Sequence, residues 1–263
     1  MRPGASLFGR LRSALGVAAV LAFMLLGACY QRFVLWPLAL LVPARRLAWS
    51  SAFMRGMSRG IFGLLRLGGA RFERGSARVD TSGPCLVLMN HQSLLDINAL
   101  IRVCHSWAPA FVTRARYARG IPAVSLCLRL RDCPLIDPGP GREGRRAAVA
   151  IARAAAREGH GLVIFPEGHR TRTGEIGPFK AAGTEAALRA RRLPVYLVVT
   201  DGFWRARRLN DFIFHAGTLR GRTEVLGPFE PPADKAELTA FVEHLRDTMV
   251  AHLAAMRARP DGA

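Results

Sequence analysis

Two short stretches of this 263-residue sequence gather residue types that can move protons. The first is Asn90-His91-Gln92-Ser93-Leu94-Leu95-Asp96, which follows the apolar run Leu86-Val87-Leu88-Met89. A histidine works as a general base when one ring nitrogen is held protonated and the other keeps its lone pair. A carboxylate accepting from the first nitrogen supplies that hold. Asp96 lies five residues beyond His91, so a turn or first helical coil can fold it back beneath the ring. No cysteine or serine is obviously placed for a covalent route, although Ser93 is close. The simpler chemistry is direct: His91 deprotonates a substrate hydroxyl, which attacks an activated carbonyl. Taken alone the spacing is weak, and an aspartate capping a helix beside an incidental histidine explains it equally well.

The second stretch is Pro166-Glu167-Gly168-His169-Arg170-Thr171-Arg172-Thr173-Gly174, which follows the apolar run 161–165. A carboxylate and a guanidinium side by side suit a ligand that carries both a hydroxyl and a phosphate. A turn with solvated charges would account for Gly168 and Gly174, but not for so many ionisable groups at the end of an apolar strand. If both strands are neighbours in one sheet, the two stretches face each other across a cleft.

The elements that must position them follow from punctuation and periodicity. Strands are expected at 84–89, 109–113, 135–136, 161–165, 195–200 and 223–226. Helices are expected at 94–104, 121–130, 142–158 closed by Gly159, 181–192 and 233–257, with Pro138-Gly139-Pro140-Gly141 as a clear breaker. Strands alternating with helices predict an α/β fold with a mainly parallel central sheet flanked by helices. A membrane-embedded helical segment precedes it, dividing the chain into 1–71 and a catalytic domain at 72–263. There is no internal repeat.

Half of the residues are hydrophobic and the mean hydropathy is +0.15, with the excess at the amino end. After Arg2, Arg10 and Arg12, residues 13–30 carry no charge and are just long enough to cross a bilayer as a helix. Gln31 and Arg32 interrupt the run, and 33–43 is apolar but short, which predicts a helical hairpin or a re-entrant segment entering one leaflet. Within 44–71, Arg45, Arg46, Arg55, Arg59 and Arg66 interleave with Leu47, Trp49, Phe53, Ile61, Phe62 and Leu65, the pattern of a basic amphipathic helix lying on an anionic surface. A signal peptide has a similar outline, and Leu26-Gly27-Ala28-Cys29 loosely fits a lipoprotein cleavage box. The apolar sequence that follows at once favours a retained segment. Positive charge on both flanks leaves its orientation open.

Net charge is +19 and the only lysines are Lys180 and Lys235, so the charge is almost entirely arginine. Guanidinium groups grip phosphate bidentately, which admits nucleic acid, anionic lipid or a nucleotide as partner. Nucleic acid is least favoured, because the arginines are dispersed and no stacking-aromatic or zinc signature accompanies them. Five cysteines, with no CxxC pair, argue against a disulfide framework or zinc site and for a reducing compartment. No metal is expected.

Together the two stretches resemble the glycerolipid acyltransferases of the 1-acylglycerol-3-phosphate (lysophosphatidate) type, which share an NHxxxxD motif and a downstream FPEGTR motif. Here these are Asn90 to Asp96 and Phe165 to Arg170. The resemblance implies acyl transfer from an acyl-CoA or acyl carrier protein thioester, a substrate rather than a cofactor, to the hydroxyl of a lysophospholipid. It makes His91 the base and Asp96 its orienting partner, and puts Glu167, Gly168 and Arg170 at the glycerol phosphate end. Phe111-Val112-Thr113-Arg114 resembles a further block in which Arg114 holds phosphate, and Leu193-Pro194-Val195 a proline-centred fourth. It also implies an anionic membrane as partner, with the domain on the cytoplasmic side of a bacterial inner membrane. His169 departs from the usual threonine, Arg116 stands where an acidic residue is common, and Pro138 replaces an expected arginine that Arg142 or Arg145 could supply. Another lyso-lipid or amino-acid lipid as acceptor, or a non-catalytic membrane scaffold, are the alternatives.

Overall fold

The computed structural model describes residues 7–106, 108–137, 139–157, 161–207, 211 and 216–259. In chain order its helices are α1 (Leu7–Tyr30), α2 (Trp36–Leu41), α3 (Arg46–Leu67), α4 (Asp96–Val103), α5 (Ser125–Leu130), α6 (Arg142–Ala155), α7 (Ala181–Ala190) and α8 (Leu238–Ala258). The strands are β1 (Arg71–Arg74), β2 (Leu86–Met89), β3 (Ala110–Phe111), β4 (Thr113–Arg114), β5 (Leu135–Ile136), β6 (Leu162–Ile164), β7 (Val195–Asp201) and β8 (Arg220–Phe229).

Six of these strands form one sheet in the order β1-β8-β7-β2-β6-β3, while β4 and β5 make a separate parallel pair. β2 runs parallel to both β6 and β7, β3 to β6 and β1 to β8, and β7–β8 is antiparallel. The uninterrupted apolar runs Leu86–Met89 and Leu162–Ile164 make sense here, since every side chain in them is buried whichever face it points to. Right-handed crossovers put α4 on one face and α6 with α7 on the other, because the chain crosses from β2 to β3 in one direction and returns to β6 and β7 in the other. α3 packs on α4, and α8 packs on α7. The parallel strands β2, β6 and β3 all end at the same edge of the sheet. That edge carries both motif loops.

The amino end differs from expectation in its path. Residues 33–43 are not a second hairpin arm: α1 continues through a single π-helical turn, Gln31–Leu35, directly into α2. Gln31 and Arg32 are polar but still helix-compatible, and Pro37 falls within the first turn of α2, where proline is tolerated. The chain reverses at Pro43–Arg45, and α3 returns against α1. Gly60 lets the arms meet, since a Cβ there would press on the ring of Phe23. α3 is accordingly no surface helix. It buries Met57, Ile61, Phe62 and Leu65 in the core, so its apolar stripe faces protein. The lipid-like face belongs to α1 and α2, where Leu11, Leu15, Leu25, Leu26, Phe33, Leu40 and Leu41 are exposed. Leu11–Leu41 is long and apolar enough to cross a membrane, with 11% of its most apolar window buried.

Other boundaries shift for local reasons. α5 starts at Ser125, whose hydroxyl caps the preceding turn by accepting from Ile121 N–H. The expected strand 109–113 divides between two sheets, and β1, too short and charged to stand out, was not expected at all. α6 spans Arg142–Ala155; Glu158 and Gly159, expected to close it, and Pro138 lie outside the described residues.

The hairpin is bolted to the domain by polar contacts. Arg131 is 3% exposed, and its Nη1 donates to Ser51 Oγ at 2.8 Å, Ser50 Oγ at 3.1 Å and Leu47 O at 3.3 Å. Gln31 donates to Cys127 Sγ at 2.9 Å and Ala123 O at 3.1 Å. Burial lowers the pKa of Arg131 and pushes the Cys104 and Cys127 thiols up to about 12. Arg131→Ala removes the buried hydrogen bonds from its guanidinium to Ser50, Ser51 and Leu47, and bonds from a charged group contribute about 1.5–3 kcal/mol each. The thermal unfolding midpoint in detergent should fall and amide exchange across α3 should accelerate; an unchanged midpoint would show that Arg131 does not secure the hairpin.

Candidate functional site

β2 ends at Met89, and the chain then turns sharply through Asn90-His91-Gln92-Ser93 before α4 begins at Asp96. That path returns Asp96 beneath His91, with Nδ1 and Asp96 Oδ2 2.7 Å apart. The same oxygen accepts from the backbone N–H of Gln92 at 2.6 Å and of Ser93 at 2.8 Å. Because Oδ2 is already an acceptor twice over, Nδ1 is the donor in the contact with His91, which leaves the lone pair on Nε2. Asp96 is fully buried and sits in the first turn of a helix, where the backbone dipoles favour negative charge. The imidazole side chain is 23% exposed and tilts against the Phe165 ring at 4.2 Å between centroids.

The residues between them act as braces. Asn90 reads the end of β7, donating to Thr200 O at 2.9 Å and accepting from Thr200 N–H at 2.8 Å. Gln92 Oε1 accepts from Phe203 and Trp204 N–H, and its amide donates to Gly174 O at 3.3 Å. Ser93, the nearby hydroxyl, is buried and donates to Ala206 O, so it is committed to structure. Asn90, Gln92 and Ser93 were visible in the motif, but nothing in the sequence said which distant backbone each would hold.

The second loop clasps the first. Glu167 Oε1 accepts from His91 N–H at 2.8 Å and Oε2 from Gly177 N–H at 3.0 Å, while Thr171 N–H donates to His91 O at 2.8 Å. Glu167 is 2% exposed; burial raises its pKa, and the two N–H bonds oppose that rise. Both of its oxygens are thus occupied by backbone, and its carboxylate braces His91. Gly168 has φ +72°, and a Cβ there would also crowd the Lys180 side chain, with Nζ at 3.0 Å. Arg170 is half-buried and donates to Arg207 O, while His169, Arg172 and Lys180 are exposed. None of these three, nor Arg170, is ion-paired to a carboxylate among the described residues, which makes the loop beside His91 cationic. Arg114 ends β4, just past the carboxyl end of β3, on the same edge of the sheet as His91.

One support had no local signal. Arg257, near the end of α8, grips Asp201 through Nε and Nη2 at 3.0 and 3.1 Å, Glu175 Oε1 at 2.6 Å and Gly174 O at 3.0 Å. Its pKa is raised, first by the hydrogen bonds to Asp201. The loop is thereby pinned from the far end of the chain. Among the described residues no group of His, Cys, Asp and Glu could hold a metal ion.

A base oriented by a buried carboxylate, at a strand's carboxyl end beside a cationic loop, is suited to activating a hydroxyl on an anionic substrate. The Acyltransferase family model matches residues 71–200. Human 1-acyl-sn-glycerol-3-phosphate acyltransferase beta is 28% identical over 152 residues, 57% of this chain and 54% of that protein. The 1-acyl-sn-glycerol-3-phosphate acyltransferase of Borreliella burgdorferi is 30% identical over 148 residues, 54% of this chain and 55% of its own. The chain thus spans about half the length of these relatives. The crystal structure of the 1-acyl-sn-glycerophosphate acyltransferase PlsC from Thermotoga maritima superposes with a TM-score of 0.71 at 19% identity, covering 93% of this chain and 98% of that one, and establishes the shared fold. Through residues 71–200 the chain is similar to the acyltransferase family.

Proposed function

We propose that this protein transfers a fatty acyl group from an acyl thioester, carried by coenzyme A or an acyl carrier protein, to the free hydroxyl of 1-acylglycerol 3-phosphate at a membrane surface. The observation that carries the proposal is the Nδ1 contact of His91 with fully buried Asp96, which leaves Nε2 as the proton acceptor. Nε2 takes the hydroxyl proton as the oxygen attacks the thioester carbonyl. The resulting tetrahedral carbon expels the thiolate, and the proton passes from Nε2 to the departing sulfur. Asp96 stabilises the imidazolium between those steps. No acyl-enzyme forms, in keeping with the structural role of Ser93.

Arg170 and Arg114, with the cationic loop beside His91, receive the acceptor phosphate. The exposed apolar face of α1 and α2 rests in the bilayer that holds the acceptor's tail. Glu167 acts through His91, whose backbone N–H its Oε1 accepts.

Three substitutions test these roles in a labelled thioester assay with a panel of lyso-lipids. His91→Ala should lower kcat by at least about 100-fold; full activity without the imidazole would end the mechanism. Arg170→Ala should raise the apparent KM for the acceptor and leave the donor KM near its original value, and an unmoved acceptor KM would take Arg170 out of the phosphate site. Glu167→Gln sets an amide NH2 against one of two backbone donors, so kcat should fall about tenfold with little change in acceptor KM. A rise in KM alone would instead make Glu167 a ligand to substrate.

A further inference from the structure

Helix α6 carries a surface the chemistry above does not use. Arg142, Arg145, Arg146, Val149, Ala150 and Arg153 recur every three or four residues and line one shallow groove along its outward side. Ile151, Ala154 and Ala155 turn the other way into the core. None of the four guanidiniums is ion-paired to an acid among the described residues, and Val149 is 49% exposed in their midst. Like charges at this spacing repel and weaken the helix that bears them. The stripe therefore makes most sense against a partner that supplies the missing negative charge.

Two facts of placement select the partner. α6 lies on the face of the sheet opposite α4, whereas the apolar hairpin reaches the domain through α3 on α4. A bilayer receiving α1 and α2 thus meets the other side of the molecule. α6 also packs on β5, which pairs with β4 and its Arg114. A partner seated on the stripe stands beside the site from the solvent side. Its complement is an acidic helical surface with an apolar centre, in which carboxylates meet the arginines and a side chain covers Val149.

We propose that the α6 arginine stripe docks an acidic, helical carrier protein that presents the acyl group as a thioester. The inference rests on the acyl-transfer reading above, and it assigns the macromolecular half of the donor.

The test uses the full chain in detergent, with palmitoyl-loaded acyl carrier protein and palmitoyl-CoA as alternative donors. In the double variant Arg146→Glu/Arg153→Glu, the KM for the carrier-bound donor should rise at least about tenfold, while that for palmitoyl-CoA stays within about twofold. Arg146→Gln/Arg153→Gln should give a smaller shift in the same direction, which separates charge from misfolding. Binding to vesicles of anionic phospholipid should be unchanged in both variants. The proposal is overturned by an unaltered KM for the carrier-bound donor, by equal losses with both donors, which would mark a phosphate site, or by loss of vesicle binding, which would mark a membrane surface. Should the wild type transfer from neither donor, the acyl-transfer reading fails by itself. Surface plasmon resonance with loaded carrier then decides the docking, which stands if the wild type binds and the charge-reversed variant does not, and falls otherwise.

Discussion

One oxygen of one buried carboxylate organises the site. Asp96 Oδ2 accepts from the backbone of Gln92 and Ser93 and from the His91 ring. A carboxylate removed from water costs several kcal/mol unless donors replace the lost hydration. The turn after β2 supplies two donors from the backbone and the helix start adds its dipole, so the charge is tolerated only when the loop is folded as seen. The same condition that lets Asp96 be buried fixes the ring of His91. Folding of the loop and orientation of the imidazole are a single event.

That loop is then held from every side. Thr200 anchors Asn90 from β7, Glu167 and Thr171 grip the His91 backbone from the loop after β6, and Arg257 ties Gly174 and Asp201 from α8. These contacts couple sequence positions 56 to 110 residues apart, which is why His91 sits on a rigid scaffold although its immediate segment is a loop. The hairpin is attached through Arg131 on the other flank, so the apolar face of α1 and α2 keeps a fixed attitude to the catalytic edge.

Much of this was legible in the sequence because the signals were local. The apolar runs at β2 and β6, the alternation of strand and helix, and the pairing of His91 with Asp96 all depend on residues within a few positions of each other. What escaped depended on distance or on backbone. β1 has a single buried residue, Phe72, and exists because β8 offers it an edge. The polar Gln31-Arg32 pair looked like a break because charge was read as a helix stop, whereas only backbone geometry stops a helix. The arginine-rich stretch 44–71 has the periodicity of a membrane surface helix, but periodicity does not say whether lipid or protein covers the stripe. The two backbone partners of Glu167, His91 and Gly177, were unreadable without the fold.

The central claim is that Asp96 holds the proton on His91 Nδ1 and leaves Nε2 as the base. It is tested most directly by nitrogen NMR of histidine-labelled protein, with the His91 resonances assigned by loss in His91→Gln. At a pH where the ring is neutral, the account predicts a protonated Nδ1 and an Nε2 with the shift of a bare ring nitrogen, an assignment lost in Asp96→Asn. A proton found on Nε2 in the wild type would contradict it.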